Sequence, residues 1–172
     1  MNEWMLAKLK YTAQEENGTF KRVTKPFLFA AMSFTDCETR VYEELGTTIR
    51  GEFQVVSIAR QDIHDIFHYE ECDVWYKGVI SFIGSSEEGE KAKKVKQNLL
   101  VSATSVKDAD AKLKESLSGM MVDYEIESIT VTPIEEIFPY TENLDVEISR
   151  VKIEDQTPED YKTTEVQEDE LA

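Results

Sequence analysis

Few residues in this chain combine types and spacing that could do chemistry. His64 and His68 stand four apart with Glu70, Glu71 and Cys72 close behind, ligand types from which a zinc site can be built. A second copy of the segment, described below, carries Glu135 and Pro139 in place of the histidines. Histidines on a short turn beside acidic residues are ordinary solvated surface, so His64, His68 and Cys72 are expected to bind no metal. No phosphate loop, dinucleotide glycine pattern, GxSxG or paired CxxC occurs. The carboxylates fall in runs, Glu15-Glu16, Glu87-Glu88 and Glu135-Glu136, which a solvated face explains. Nothing pairs a nucleophile or base with a partner, so the expectation is a protein without catalysis or cofactor.

Binding chemistry is better represented. In a strand over residues 4–11, Trp4, Leu6, Lys8 and Lys10 share one face and Met5, Ala7, Leu9 and Tyr11 the other, apolar one. Residues 75–82 repeat the arrangement, with Trp75, Lys77, Val79 and Ser81 on the polar-leaning face. The following strands add Arg22 and Thr24, and Lys94 and Lys96, while Pro26 suggests a bulge or sheet edge. Indole rings among cations on an open sheet suit single-stranded nucleic acid, with rings stacking on bases and cations holding phosphates. Trp4, Lys8, Lys10, Arg22, Trp75, Lys77, Lys94 and Lys96 are therefore the candidate site. The structural alternative is a tryptophan partly buried under a loop and lysines that merely protect a strand edge.

These residues are placed by a tandem duplication. Trp4–Tyr11 falls on Trp75–Phe82 at an offset of 71 residues, Val23–Leu45 on Val95–Leu117 at 72, and Phe53–Ile58 on Tyr124–Ile129 at 71. The IxxIF segments Ile63–Phe67 and Ile134–Phe138 close each copy at the same offset. Each unit reads strand, strand, helix, strand. Asn17-Gly18 turns the first hairpin, and the longer Gly84–Gly89 segment turns the second. Ser33 and Ser105 can cap the helices, with Asp36 and Asp108 completing a capping box. Phe34, Cys37, Val41 and Leu45, and Val106, Ala109, Leu113 and Leu117, have the spacing of one buried stripe. Third strands are expected near 52–60 and 123–132, followed by IxxIF turns, the second opened by Pro133 as a first helical residue. The prediction is an α+β domain over residues 1–140, repeats 1–70 and 71–140, with six mostly antiparallel strands and both helices on one face of a sheet.

Beyond this body, Leu144, Val146 and Ile148 alternate and could add an edge strand within 141–153, and 154–172 reads as an acidic, disordered tail. Of the net charge of −16, residues 141–172 carry −8, from 11 acidic and 3 basic side chains. An acidic total argues against coating duplex DNA by bulk charge, though a local basic strip can still track phosphates. In the tail, Glu165, Glu168, Asp169 and Glu170 are expected to dock on a basic protein partner or compete with nucleic acid. Cys37 and Cys72 read as free thiols of a reducing cytoplasm, and no segment has the apolar length of a membrane span.

The tryptophan-led first strand, KRVTKPFLFAAMSFTDCETRVYEEL, GEFQVVSIAR and DYEIESITVTPIEEIFPY resemble the family called domain of unknown function 4494, over about residues 1–140. The resemblance implies an origin in Bacteroides-type bacteria or their phages, and carries over no catalytic residues. The duplicated sheet-then-helix order is also similar to Whirly-type single-stranded DNA-binding folds, which have more strands per repeat. Two readings result. One is a replication or recombination accessory binding single-stranded DNA, or RNA. The other is a phage or mobile-element interaction module that binds or blocks a host protein. A homo-oligomer is compatible with either.

Overall fold

The computed structural model describes residues 3–84 and 87–140; the edge strand and acidic tail expected beyond them lie outside the described residues. Both halves run through the same order of elements. β1 (Glu3–Gln14), β2 (Phe20–Ala31), α1 (Phe34–Leu45), β3 (Phe53–Gln61) and β4 (Asp65–Phe67) are followed by β5 (Val74–Ile83), β6 (Lys94–Ala103), α2 (Val106–Ser116), β7 (Tyr124–Val131) and β8 (Ile137–Phe138). The fold is α+β.

β1 and β2 pair without a break from Glu3↔Ala31 to Gln14↔Phe20, turned at Gly18, whose φ of +83° favours glycine. Pro26 introduces no bulge. Its carbonyl accepts from the Glu135 N–H, away from β1, and a strand residue's N and O face the same side, so no β1 bond is lost. The β1–β3 and β5–β7 registers shift at equivalent places, between Lys8 and Leu9 and between Val79 and Ile80, which makes Val56 and Glu127 the extra residues of matching bulges.

The caps form in both helices. Ser33 and Ser105 Oγ accept from the N–H of Asp36 and Asp108 at 3.0 and 3.1 Å, and the two carboxylates accept back from the N–H of Met32 and Thr104. Each return bond lands one residue earlier than in the standard capping box. Cys37, Val41 and Leu45 then bury against Met5, Ala7, Leu9 and Phe29, and Ala109 and Leu113 against Tyr76, Ile80 and Val101. Phe34 and Val106, expected in these stripes, are instead exposed. Each is the first residue of its helix, and Phe34 carries the Arg60 guanidinium over its ring at 5.2 Å. α2 lies so close to β5 that a Cβ at Gly78 would stand 2.6 Å from Leu113 Cδ1.

The two helices do not share a sheet. The strands form two four-stranded sheets, β3-β1-β2-β8 and β4-β6-β5-β7, each with its own helix. The IxxIF segments, expected as turns, are short strands that cross to the other half. β4 pairs in parallel with Leu99–Val101 and β8 with Leu28–Phe29. Side-chain alternation explains why a strand forms there. Phe67 and Phe138 pack into the helix-side cores, Phe138 stacking on Phe29 at 4.7 Å, while Ile66 and Ile137 point to the opposite face. There they join Ile63, Ile134, Trp4 and Leu6 around buried Leu28, Trp75 and Leu100, a third core that holds sheet to sheet.

A basic residue on each helix secures the exchange. Buried Arg40 of α1 donates to the carbonyls of Ala30, Phe138 and Pro139, so it binds the crossed strand from the other half. Lys112 of α2, equivalent at an offset of 72, donates to Cys72 Sγ at 2.8 Å and Asp108 at 2.9 Å and lies over the Tyr69 ring.

Leu28→Ala should cost ~2–5 kcal/mol, the range for truncating a fully buried leucine. Urea unfolding followed by tryptophan fluorescence and by far-UV circular dichroism should give coincident single transitions, because the third core belongs to both halves. Separate transitions for the halves would contradict this. Arg40→Ala should cost ~2–3 kcal/mol, since a charged donor is taken from several carbonyls, and the same urea experiment measures it.

Candidate functional site

The eight residues proposed for nucleic-acid binding do lie on the sheet faces opposite the helices, but they do not make one exposed platform. Trp75 is 7% exposed and Trp4 half-buried, both within the core between the sheets. The expectation of two solvent-facing rings is therefore corrected: each indole was needed to fill the junction that strand exchange creates. Replacing Trp75 with Ala is accordingly a core truncation, worth ~3–5 kcal/mol of stability.

The cations divide into two groups. Lys8, Lys10 and Arg22 are exposed on β1 and β2, with Lys10 opposite Thr24 and Arg22 opposite Thr12, and among the described residues no carboxylate pairs with any of them. Lys77, also exposed, has no ion-pair partner among these residues either. Lys94 and Lys96 are held by Glu127, at 2.7 and 3.0 Å. Glu127 is the bulge residue of β7, and the two ammonium groups, Lys94 foremost, hold its carboxyl down at about 2. The matching bulge in the first half carries neutral Val56, so among the described residues its strip has no such carboxylate.

Both tryptophans instead line a cleft of about 680 Å³ at the junction of the sheets. Its remaining lining comes from the segments around the exchanged strands: His64, Asp65, Ile66 and His68, then Cys72 and Asp73, then Glu135, Glu136, Ile137 and Pro139. Under the 71-residue offset Trp4 corresponds to Trp75, His64 to Glu135, Asp65 to Glu136, Ile66 to Ile137 and His68 to Pro139. Backbone bonds place the rims in the same way in both halves, His64 N–H donating to the Asn98 carbonyl and Glu135 N–H to that of Pro26. The His68 ring stacks on Trp75 with centroids 5.5 Å apart.

The rim is acidic. Among the described residues no lysine or arginine lines the cleft. Lys25 pairs with Glu135 at 2.9 Å, whereas Asp65, Asp73 and Glu136 have no cationic partner among the described residues. His64 and His68 flank an extended strand, not the expected turn, and four extended residues span ~13 Å, too far for two ligands of one ion. Among the described residues no group of three His, Cys, Asp or Glu side chains could hold a metal ion. Both cysteines are buried and free, and burial pushes the Cys37 thiol up to about 11, away from thiolate chemistry. The tail residues Glu165, Glu168, Asp169 and Glu170 lie outside the described residues.

The sequence reading missed the cleft because its walls come from positions about 70 residues apart that meet only when the IxxIF strands cross. The usable signal was in the repeat itself: IxxIF alternates like a strand, and the polar residues beside its isoleucines differ between copies.

The depressed Glu127 carboxyl gives a pH prediction. Its contribution to stability is complete above the ordinary glutamate range and is lost as pH falls through the folded value of about 2. A carbon-13 NMR titration of its side chain should place the midpoint there, and a midpoint above about 4 would show that Lys94 and Lys96 do not hold it.

Residues 3–140 match the family described as domain of unknown function (DUF4494), and the chain belongs to that family. Comparison with curated proteins and with solved structures gives no significant match. No helix of the described residues is long and apolar enough to cross a membrane.

Proposed function

We propose that this family member is a non-enzymatic protein-interaction module that engages its partner at the two-tryptophan cleft. The observation carrying this reading is the cleft's composition: apolar walls from Trp4, Trp75, Ile66 and Ile137 under a polar rim, the usual make-up of a recognition site. Catalysis is not supported by the same groups. Among the described residues neither histidine ring is oriented by a hydrogen bond to a carboxylate, and the Lys112 amine beside Cys72 is held protonated by its bonds to Cys72 and Asp108, a donor rather than a base. A phage or mobile-element protein that binds or blocks a host factor in the cytoplasm is the setting this fits.

The second reading is binding of single-stranded nucleic acid. Lys8, Lys10 and Arg22 favour it, three exposed cations on one sheet face without carboxylate partners among the described residues. Phosphates could be tracked there, but without the indole platform on which base stacking was to rest. The similarity of the duplicated order to Whirly-type folds points the same way by analogy alone.

A photo-crosslinking residue placed at position 64, on the cleft, or at position 10, on the basic strip, separates the two readings in cells. The interaction module expects a protease-sensitive adduct at position 64. Nucleic-acid binding expects a nuclease-sensitive adduct at position 10 and oligo-dT affinity that falls with salt. In that second case Glu127→Gln should raise the affinity by freeing Lys94 and Lys96, and removal of residues 154–172 should raise it further by deleting an anionic competitor. Oligo-dT binding at low salt together with no adduct at position 64 would replace the first reading with the second.

A further inference from the structure

Each sheet has one long strand at its edge, β3 in the first and β7 in the second, and among the described residues nothing pairs with the outer side of either. Such a row of open N–H and C=O groups is a template for another strand unless charge, proline or a bulge blunts it. The bulge is common to both edges and does not distinguish them. The side chains do. Gln54 and Val56 of β3 correspond to Glu125 and Glu127 of β7 at an offset of 71 residues. On the flanking helix, exposed Tyr42 packs on Phe53 with ring centroids 5.1 Å apart, whereas its equivalent, Lys114, pairs with Asp110 at 2.8 Å. Val106 and Val131 leave apolar ends on the second edge, but its middle is charged. In the first, the one charged residue of β3 is Arg60, which lies over the Phe34 ring and is bound to Glu3 at 2.9 Å.

β3 is also complementary to itself. Met5, Ala7, Leu9 and Tyr11 face α1, so their cross-strand partners Arg60, Ile58, Val55 and Phe53 share that face. Against an antiparallel second copy, the register that pairs the strand along its length and keeps these four on one face sets Phe53 opposite Arg60 and Val55 opposite Ile58, each pair occurring twice. The two-fold axis then passes between Val56 and Ser57, so the bulges meet and two valines become neighbours across it. The two Arg60 side chains stay roughly 20 Å apart along the strands. The same pairing of β7 would bring two Glu127 carboxylates, already held by Lys94 and Lys96, together at the axis, where like charges destabilise the ladder.

We propose that β3 is a self-association edge to which a second copy of this chain adds its own β3 antiparallel, joining two four-stranded sheets across a two-fold axis at Val56 and Ser57. Exposed Val56, Tyr42 and Phe34 lie along this junction and are covered by it. The net charge of −16 on each chain opposes the association, which therefore strengthens as salt screens the repulsion. A contact made by the acidic tail of one copy on the basic strip of another would respond to salt in the opposite sense. The proposal is independent of what the cleft binds.

Sedimentation velocity of the full chain from about 1 to about 100 µM should show monomer giving way to dimer, more completely at about 0.5 M salt than at about 0.05 M. Val56→Glu combined with Tyr42→Lys, which gives the first half the residue types of the second, should weaken dimerisation at least about tenfold with circular dichroism unchanged. Val131→Glu on the β7 edge should leave dimerisation as it is. The chain's two cysteines, Cys37 and Cys72, are buried, so a thiol introduced on an edge reports that edge. Ser57→Cys should yield a disulfide-linked dimer on mild oxidation, and Ser128→Cys, the equivalent exposed position on β7, should not. A chain that stays monomeric over this range, a natively folded double variant that dimerises as well as the parent, or crosslinking at position 128 as fast as at 57 overturns the proposal. Should the double variant fail to fold, the comparison of positions 57 and 128 decides.

Discussion

Everything in this structure depends on the exchange of two short strands between its halves. Each sheet is completed by residues from the other repeat, β8 on β2 and β4 on β6, and each exchanged strand works on two faces at once. One face supplies a phenylalanine to a helix-side core and the other an isoleucine to the core between the sheets. Without β8, Leu28 and Phe29 would lose neighbours on both sides of the same strand. The exchange also explains a buried arginine: Arg40 is placed so that the Phe138 and Pro139 carbonyls of the incoming segment meet a charged donor.

The same constraint decides where function can reside. Bringing equivalent segments to a common junction makes a symmetric concavity, and divergence between the copies makes it chemically lopsided, with histidines on one side facing glutamate and proline positions on the other. Divergence acted on the outer strands as well. A bulge of identical placement holds valine in one half and glutamate in the other, and that single difference silences two lysines on one sheet while three cations on its counterpart have no carboxylate partner among the described residues. Duplicated frames thus carry unlike surfaces.

Much of the frame was legible in the sequence because it rests on local rules. Hairpin turn, serine caps, helical stripe and strand alternation each declare themselves within a dozen residues, and the offset between copies doubled every such signal. Partnering was not legible. Nothing in Asp65–Phe67 says whether it folds back on its own sheet or crosses, since both choices bury the same isoleucine and phenylalanine. The two tryptophans were misplaced for that reason: alternation correctly put them on the face with the lysines, but which part of that face another sheet covers is a long-range fact. Phe34 and Val106 show the complementary error, where a periodic pattern was extended one residue past the point at which the helix meets its sheet.

Chain order gives the exchange a kinetic meaning. The first sheet takes its fourth strand from residues 137–138, at the far end of the described body, so during synthesis β1, β2, β3 and α1 leave the ribosome long before the strand that completes them. Through that interval the outer edge of β2 is open, with Leu28 and Phe29 along it. The protein therefore begins life as an unfinished sheet, and its assembly is timed by the arrival of β8.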